Sequence, residues 1–217
     1  MRHANAPAQK EIRRQVILAG ALQLFREVPY PELRMADLAK RLGLGKGTLY
    51  LSFPSKEALF LAVLKLEMGS WHNAVAERLR NTPAGADPRQ VAEGLVQELL
   101  DRPLLPKLKA LLHNVLEQNV PLDEAVAFGR FLERGVLTVG EQLERVVDLP
   151  KGQGALFFIR FHALVIGNQL MSSRPPVVQE GLRQARFSIF DFDFETVMRE
   201  SAVVMLLGML GNAPPGR

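Results

Sequence analysis

Four residues between positions 46 and 50 have the chemistry to contact a polyanion. Lys46 supplies a positive charge, and Gly47, Thr48 and Tyr50 follow it within one helical turn. A cation and hydroxyl groups on a short helix are suited to contact phosphates and the edges of bases in the major groove. These four residues are therefore the first candidates for nucleic-acid binding.

The residues around this set predict two short helices joined by a tight turn. Leu38 and Leu42 lie four residues apart on one helical face, and Ala39 is small enough for another helix to approach closely. Gly43 supplies the turn, because a left-handed residue at the end of a helix is strained when it carries a Cβ. Pro54 limits the second helix to about two turns. The pattern is that of a helix-turn-helix, whose second helix enters the major groove of DNA.

The following helix offers a further contact to phosphate. Ser55 can cap its N-terminus, and Lys56 lies beside the free backbone N–H groups of its first turn. Helix N-termini attract phosphate groups, so we expect Lys56 to contact the DNA backbone.

A glycine-rich nucleotide-binding loop is the rival interpretation of residues 43–48. That motif needs a glycine five residues before the Gly-Lys pair and a Ser or Thr directly after it. Lys40 and Gly47 occupy these two positions, and a helix rather than a strand precedes them. The spacing therefore excludes the nucleotide-binding loop.

The sequence here resembles the tetracycline-repressor (TetR) family of bacterial transcriptional regulators. The resemblance covers roughly residues 10–65 and rests on Ile17, Ala21, Leu24, Phe25, Ala36 to Ala39, Gly43 to Tyr50, Phe53 and Ser55-Lys56-Glu57. It implies a homodimer, a three-helix DNA-binding domain and a larger helical domain whose ligand pocket switches the affinity for operator DNA. It also implies repression, the commonest mode of regulation in that family.

The chain departs from the family pattern at three places. Pro29 stands where the family usually has Gly, and Leu33-Arg34 where it usually has a Thr or Ser that caps the second helix. Loss of that cap costs about 0.5–2 kcal/mol, and we expect Arg34 to contact a phosphate instead. Gly45 replaces the usual Ser cap of the recognition helix, a change of only a few tenths of a kcal/mol.

The charge of this 217-residue chain is unevenly distributed. Residues 1–60 carry ten Lys or Arg against five Asp or Glu, whereas the remaining 157 carry seventeen against eighteen. A basic N-terminal part on a nearly neutral body favours binding to DNA over a merely solvated basic surface.

Downstream, the periodicity of apolar residues stays helical, and the predicted fold class is all-α. We predict an N-terminal arm and helix-turn-helix domain over residues 1–55 and a helical ligand-binding and dimerisation domain over residues 56–217. The predicted helices of the second domain are Lys56–Asn81, Pro88–Asp101, Pro106–Gln118, Leu122–Val147, Gly154–Ser172 and Phe194–Leu210. The alternating segment before the last helix is predicted to be extended, with Phe190 and Phe192 buried and Asp193 as the helix cap.

Two predicted helices are apolar on nearly every side. They cover residues 156–166 and 203–210, and a helix of this kind must be buried all round. Burial against the protomer on one side and a second copy on the other predicts a homodimer, with Gly167 and Gly208 available for close approach.

The candidate ligand-binding residues are aromatic and polar side chains of the larger domain: Trp71, His113, Glu117, Phe128, Phe131 and His162. We expect a small, mostly apolar molecule oriented by a few of the polar groups. His113 and Glu117 lie four residues apart, so they can form a proton site, a metal site or a structural hydrogen-bonded pair. No further His or Cys completes a metal-binding set, and no metal or cofactor is predicted.

The remaining function classes have weaker support in the sequence. A helical enzyme lacks any catalytic motif, and a protein-binding adaptor would leave the Lys46–Tyr50 surface unexplained. Cysteine is absent, so nothing demands an oxidising compartment, and we expect a cytoplasmic protein. The apolar segment 155–171 contains Arg160, His162, Asn168 and Gln169, which argues against a membrane span.

Overall fold

The computed structural model describes residues 6–112, 120–187, 190 and 192–211, and all regular elements in this part of the chain are helical. This confirms the predicted all-α class. The helices of the described residues are α1 (Ala6–Glu27), α2 (Met35–Arg41), α3 (Lys46–Ser52), α4 (Lys56–Arg80), α5 (Pro88–Leu100), α6 (Leu105–Leu111), α7 (Leu122–Val147), α8 (Gln153–Ser172), α9 (Pro176–Gln184) and α10 (Phe194–Gly211). A short 3₁₀ turn (Tyr30–Glu32) connects α1 to α2.

The chain divides into two compact units. The smaller unit consists of Met1–Leu66 and Leu111–Ala125, and the larger one of Glu67–Ala110 and Val126–Arg217. The predicted boundary at residues 55 and 56 coincides with the start of α4. The first turns of that helix nevertheless pack within the smaller unit, because the ring of Phe60 lies 5.6 Å from that of Phe25 and 5.2 Å from that of Tyr30.

Apolar packing holds the helices of the smaller unit together. The side chains of Ile17, Leu49 and Leu59 are completely buried in its core. The α1 helix approaches the end of α2 so closely that a Cβ on Gly20 would lie 2.8 Å from Leu42.

In the larger unit, α10 packs against both α5 and α8, and α7 crosses the start of α8. The crossing requires glycine, because a Cβ on Gly154 would lie 2.1 Å from the carbonyl oxygen of Gly140. Beside it, one Glu144 carboxylate oxygen accepts hydrogen bonds from the N–H groups of Gly152 (2.7 Å) and Gly154 (3.0 Å). The carboxylate thereby satisfies free donors at the N-terminus of α8.

The segment before α10 differs in part from the prediction. Asp193 caps the helix as predicted, since its carboxylate accepts a 2.8 Å hydrogen bond from the backbone N–H of Thr196. The predicted burial of Phe190 is wrong: its side chain is 42% exposed and packs edge-on against the similarly exposed Phe187. Phe192 is half-buried. The sequence analysis predicts no helix at α9, because Pro175-Pro176 interrupts the helical periodicity.

Among the described residues, α8 is the one helix long and apolar enough to cross a membrane. Length and composition alone do not separate such a helix from a core helix. The α8 side chains of Phe157, Phe158 and Phe161 are completely buried, and Asn168 donates to the sulfur of Met198 on α10 at 3.2 Å. These contacts are typical of a core helix.

Candidate functional site

One buried apolar residue sets the rotation of the short helix α3. Leu49 is completely buried, so the helix turns its opposite side outward. Lys46 and Gly47 are exposed, and Tyr50 is 49% exposed, while Thr48 is half-buried. Three of the four predicted residues are thus exposed on one short helix, and the fourth is half-buried.

Leu51 is a further exposed residue of α3 that the sequence interpretation missed. Its side chain is 88% exposed, although an apolar residue is expected to face the core. The sequence does indicate this exposure, because Leu49 and Leu51 lie about 200° apart on a helix and cannot both be buried. Apolar side chains on a recognition helix can contact the methyl group of thymine.

The turn before α3 has the predicted geometry. Gly43 adopts a positive φ of 64°, and the N–H of Leu44 donates to the carbonyl oxygen of Ala39 at 2.9 Å. Gly45 precedes α3 with extended backbone angles and provides no side-chain cap. The start of α3 therefore keeps free N–H groups beside the exposed Lys46, which favours the approach of an anion.

Arg34 and Lys56 have different environments. Arg34 is exposed at the N-terminus of α2 and makes no side-chain cap there. The ammonium of Lys56 donates to the carbonyl oxygens of Tyr30 (3.0 Å) and Leu33 (3.2 Å), and it lies 4.2 Å from the centre of the Tyr30 ring. Lys56 thus fastens the 3₁₀ turn to α4, and its phosphate contact stays a prediction. Ser55 caps α4 as predicted, since its hydroxyl accepts from the N–H of Ala58 at 3.0 Å.

Four of the predicted ligand-binding residues lie in an aromatic cluster of the larger unit. Trp71 stacks on Phe158 with ring centres 5.1 Å apart, and it lies 5.2 Å from His162. Phe131 stacks on His72 at 5.9 Å and contacts Phe128 at 6.0 Å. The predicted residues His113 and Glu117 lie outside the described residues.

Two further polar residues complete this cluster, and the sequence interpretation missed the first of them, Lys109. Lys109 on α6 is only 2% exposed, and its ammonium lies 2.8 Å from Nδ1 of His162 and 5.2 Å from the centre of the Trp71 ring. His72 on α4 is 5% exposed, and its ring centre lies 5.5 Å from that of His162. We refer to Trp71, His72, Lys109 and His162 as the polar cluster.

The position of Lys109 could have been recognised from helical periodicity. Leu105 lies four residues before it and Leu112 three residues after it, and both are buried. Lys109 therefore occupies the apolar face of its helix.

Burial changes the titration of the polar cluster. Desolvation lowers the pKa of Lys109 to about 7. Burial, followed by the charge of Lys109, lowers the pKa of His72 to about 4. The pKa of His162 is also well below its ordinary value, chiefly through burial and next through Lys109 and His72. Both imidazoles are therefore neutral at pH 7.

Several nitrogen atoms of the polar cluster are buried without hydrogen-bond partners among the described residues. They are Nε1 of Trp71, both ring nitrogens of His72 and Nε2 of His162. A buried unpaired donor costs about 1–3 kcal/mol, so native proteins seldom keep several together without a function.

Two family models match the chain. The model described as "Bacterial regulatory proteins, tetR family" matches residues 17–63, and that described as "Tetracyclin repressor-like, C-terminal domain" matches residues 66–213. The matched ranges include both the recognition helix and the polar cluster.

Curated relatives are similar over parts of the chain. The uncharacterized HTH-type transcriptional regulator YezE of Bacillus subtilis is 29% identical over 150 residues, which are 68% of this chain and 74% of YezE. The HTH-type transcriptional activator FasR of Mycolicibacterium smegmatis is 33% identical over 92 residues, which are 42% of this chain and 41% of FasR. The chain thus matches most of YezE but less than half of FasR.

Solved structures share the fold. The fatty acid degradation regulator FadR from Bacillus halodurans aligns with a TM-score of 0.58 at 16% identity, over 93% of this chain and 97% of FadR. A variant of TetR from Acinetobacter baumannii in complex with minocycline aligns with a TM-score of 0.54 at 15% identity, over 94% of this chain and 96% of that one. At these identities the likeness shows the fold alone.

Proposed function

The chain belongs to the TetR family of DNA-binding transcriptional regulators, and on this premise we propose that it is a cytoplasmic repressor. In this proposal a homodimer binds a palindromic operator through its two α3 helices. A small, mostly apolar ligand that binds the larger unit releases the DNA. The family consists of regulators rather than enzymes, so the alternative of a helical enzyme is set aside.

The observation that supports DNA reading by α3 is its exposed polar side. The completely buried Leu49 fixes the rotation of the helix, so that Lys46, Gly47 and Tyr50 face outward together. In the proposed complex Lys46, Tyr50 and Arg34 contact phosphates, while Thr48 contacts base edges. The apolar Leu51 adds a contact to a thymine methyl group.

Gly47 offers the sharpest test of this surface. A Cβ at this position has no protein atom within 4 Å, so Gly47→Ala leaves the fold intact and raises helix propensity by up to about 1 kcal/mol. If α3 enters the groove at Gly47, the added methyl group lies between helix and DNA. We expect DNA affinity to fall while thermal stability stays equal or rises. Gly129→Ala, also in open space but on α7, is the matched control.

DNA binding is measured by fluorescence anisotropy at several salt concentrations, with the intergenic DNA beside the gene compared with unrelated DNA. We expect tight binding to the intergenic DNA that resists competitor. Lys46→Ala is expected to weaken binding to all sequences and to reduce the salt dependence, whereas Lys107→Ala in the larger unit is not. Thr48→Ala is expected to change sequence preference by roughly 1–3 kcal/mol. Equal affinity for both DNAs at every salt concentration would contradict sequence-specific reading.

The homodimer is supported by apolar side chains that the protomer leaves exposed on α8 and α10. Ile159 is 54% exposed, Leu170 50% and Val204 70%. Gly167 and Gly208 have no protein atom within 4 Å of where a Cβ would lie, so another backbone can approach them. Sedimentation at micromolar concentration is expected to show twice the 24.2 kDa of one chain. A monomer would contradict both the dimer and the palindromic operator.

Ligand control is proposed to act through α4. This uninterrupted helix carries Trp71 and His72 of the polar cluster, while its first turns pack within the smaller unit. A ligand that displaces α4 changes the spacing of the two recognition helices. The coupling requires unequal ligand affinity for free and DNA-bound protein, and equal affinities would refute it.

Repression is the sign we propose, although the relative FasR is described as an activator. A reporter gene behind the bound intergenic DNA decides between the two. Repression predicts higher output when the regulator gene is deleted, and lower output on deletion would show activation instead.

A further inference from the structure

The polar cluster contains a buried cation without an anion among the described residues. Lys109 is 2% exposed, and no described carboxylate forms an ion pair with it. Its contacts are Nδ1 of His162 and the face of the Trp71 ring. Buried charges in proteins are normally paired, because desolvation of an isolated ion is costly. Within the described part of the chain, the cluster therefore lacks a negative partner.

Hydrogen-bond donors in the cluster outnumber the acceptors. The indole N–H of Trp71 can only donate, and so can the ammonium of Lys109. Because the ammonium donates to Nδ1 of His162, the proton of this neutral ring lies on Nε2, which has no partner among the described residues. His72 carries one further N–H. The complement to this set of donors is a group with several acceptor positions and no donors.

We propose that the polar cluster binds the carboxylate of a small aromatic acid. An ionised carboxylate offers about four acceptor positions and one negative charge. It therefore supplies both the acceptors and the negative partner that the cluster lacks among the described residues. This inference rests on the proposed function in one respect, namely that the larger unit binds the effector.

The surroundings of the cluster suit an aromatic body attached to the carboxylate. Phe131 stacks on His72, and Phe158 packs edge-on against His162 with ring centres 4.8 Å apart. His162 keeps part of its accessible surface, unlike the completely buried Trp71. An aromatic ring attached to a carboxylate bound by the cluster would have aromatic side chains as its nearest neighbours.

The affinity for the acid depends on the charge of Lys109. Its pKa is about 7, so above pH 7 the free protein must take up a proton to bind a carboxylate. His72 on α4 and His162 on α8 have lowered pKa values, so both rings are neutral above pH 7. On α7, Phe131 and Gly135 lie against His72, and neither residue titrates. We expect the affinity to fall about tenfold for each pH unit above 7.

The test uses Trp71, the one tryptophan of the chain, as an intrinsic probe. Benzoate, phenylacetate and 4-phenylbutyrate are titrated against the protein, each compared with its own primary amide. We expect at least one acid to change the Trp71 emission with a Kd at least tenfold lower than that of its amide. If no acid in the series binds more tightly than its amide, the proposal is overturned.

The residues are tested with a matched pair of variants on one helix. Lys109→Met is expected to weaken binding of the acid at least tenfold, whereas Lys107→Met, at an exposed position of α6, leaves it unchanged. Unchanged affinity in Lys109→Met would overturn the proposal. The pH dependence of binding to the unmodified protein provides a second criterion. The affinity for the amide is expected to be independent of pH. An affinity for the acid that is also independent of pH would contradict the role of Lys109.

Operator binding without any acid separates this inference from the proposed function. Specific operator binding by a protein that takes no acid overturns only the carboxylate site. Binding of the acid through Lys109 without release of operator DNA supports the site and contradicts ligand-controlled repression.

Discussion

Replacement of Lys109 by methionine is expected to stabilise the protein, and the gain depends on pH. Methionine has a similar length, fills the same buried space and carries no charge. Burial of the native lysine costs free energy, because the ammonium group must either lose its hydration or release its proton. The variant removes this cost, at the loss of the hydrogen bond to His162.

The size of the effect follows from the pKa of Lys109. A decrease from 10.5 to about 7 corresponds to about 5 kcal/mol at roughly 1.4 kcal/mol per unit. The unfolded chain binds the proton more strongly, so the penalty is fully present below pH 7 and disappears above about pH 10.5. Loss of the bond to His162 costs about 1–3 kcal/mol. We therefore expect a net gain of about 2–4 kcal/mol at pH 7, which falls with pH by about 1.4 kcal/mol per unit.

The measurement is urea unfolding at pH 7, 8, 9 and 10, followed by circular dichroism and by the emission of Trp71. Protein concentration is held constant, because dimerisation contributes to apparent stability. The exposed Lys107→Met serves as the control and is expected to stay within about 0.5 kcal/mol of the wild type at every pH. A difference between Lys109→Met and wild type that does not change with pH would refute the reasoning, as would a variant that is less stable at pH 7.

Two further predictions concern single contacts. Gly135→Ala places a Cβ 2.0 Å from Nδ1 of His72, so we expect the free energy of unfolding to fall by about 1–3 kcal/mol. The control Gly129→Ala on the same helix is expected to be neutral or stabilising by up to about 1 kcal/mol. Equal effects of the two variants would contradict the close packing of His72. Asp193→Ala removes the side chain that accepts a hydrogen bond from the N–H of Thr196. We expect the free energy of unfolding, measured with heat or urea, to fall by about 0.5–2 kcal/mol. An unchanged free energy would show that the cap does not stabilise α10.

Much of the fold was predictable because its signals are local. Ser55 and Asp193 cap helices through N–H groups three residues away, and Gly43 adopts the left-handed conformation that the turn requires. These interactions depend on neighbours in the chain alone. The missed helix α9 belongs to the same class, because Pro176 at its first position is typical of a helix start.

The candidate site was predictable only in part. The outward side of α3 follows from its sequence once Leu49 is assigned to the core, and the aromatic residues Trp71, Phe128 and Phe131 were identified by their type. Helical periodicity places Lys109 on the apolar face of its helix, but the residue type argued against burial, because lysine is almost always solvated at the surface. Phe190 shows the opposite error, since an aromatic residue expected in the core is 42% exposed.

The positions at which most helices begin and end, and the location of residues 46–50 on one short helix, can be predicted from local sequence, since both depend on interactions within a few residues. Local sequence does not reveal that Lys109 contacts His162, a residue 53 positions away, beside Trp71 and His72. Such a contact depends on how α4, α6 and α8 pack. The same packing excludes water from the lysine, lowers its pKa and leaves the surrounding donors without acceptors among the described residues.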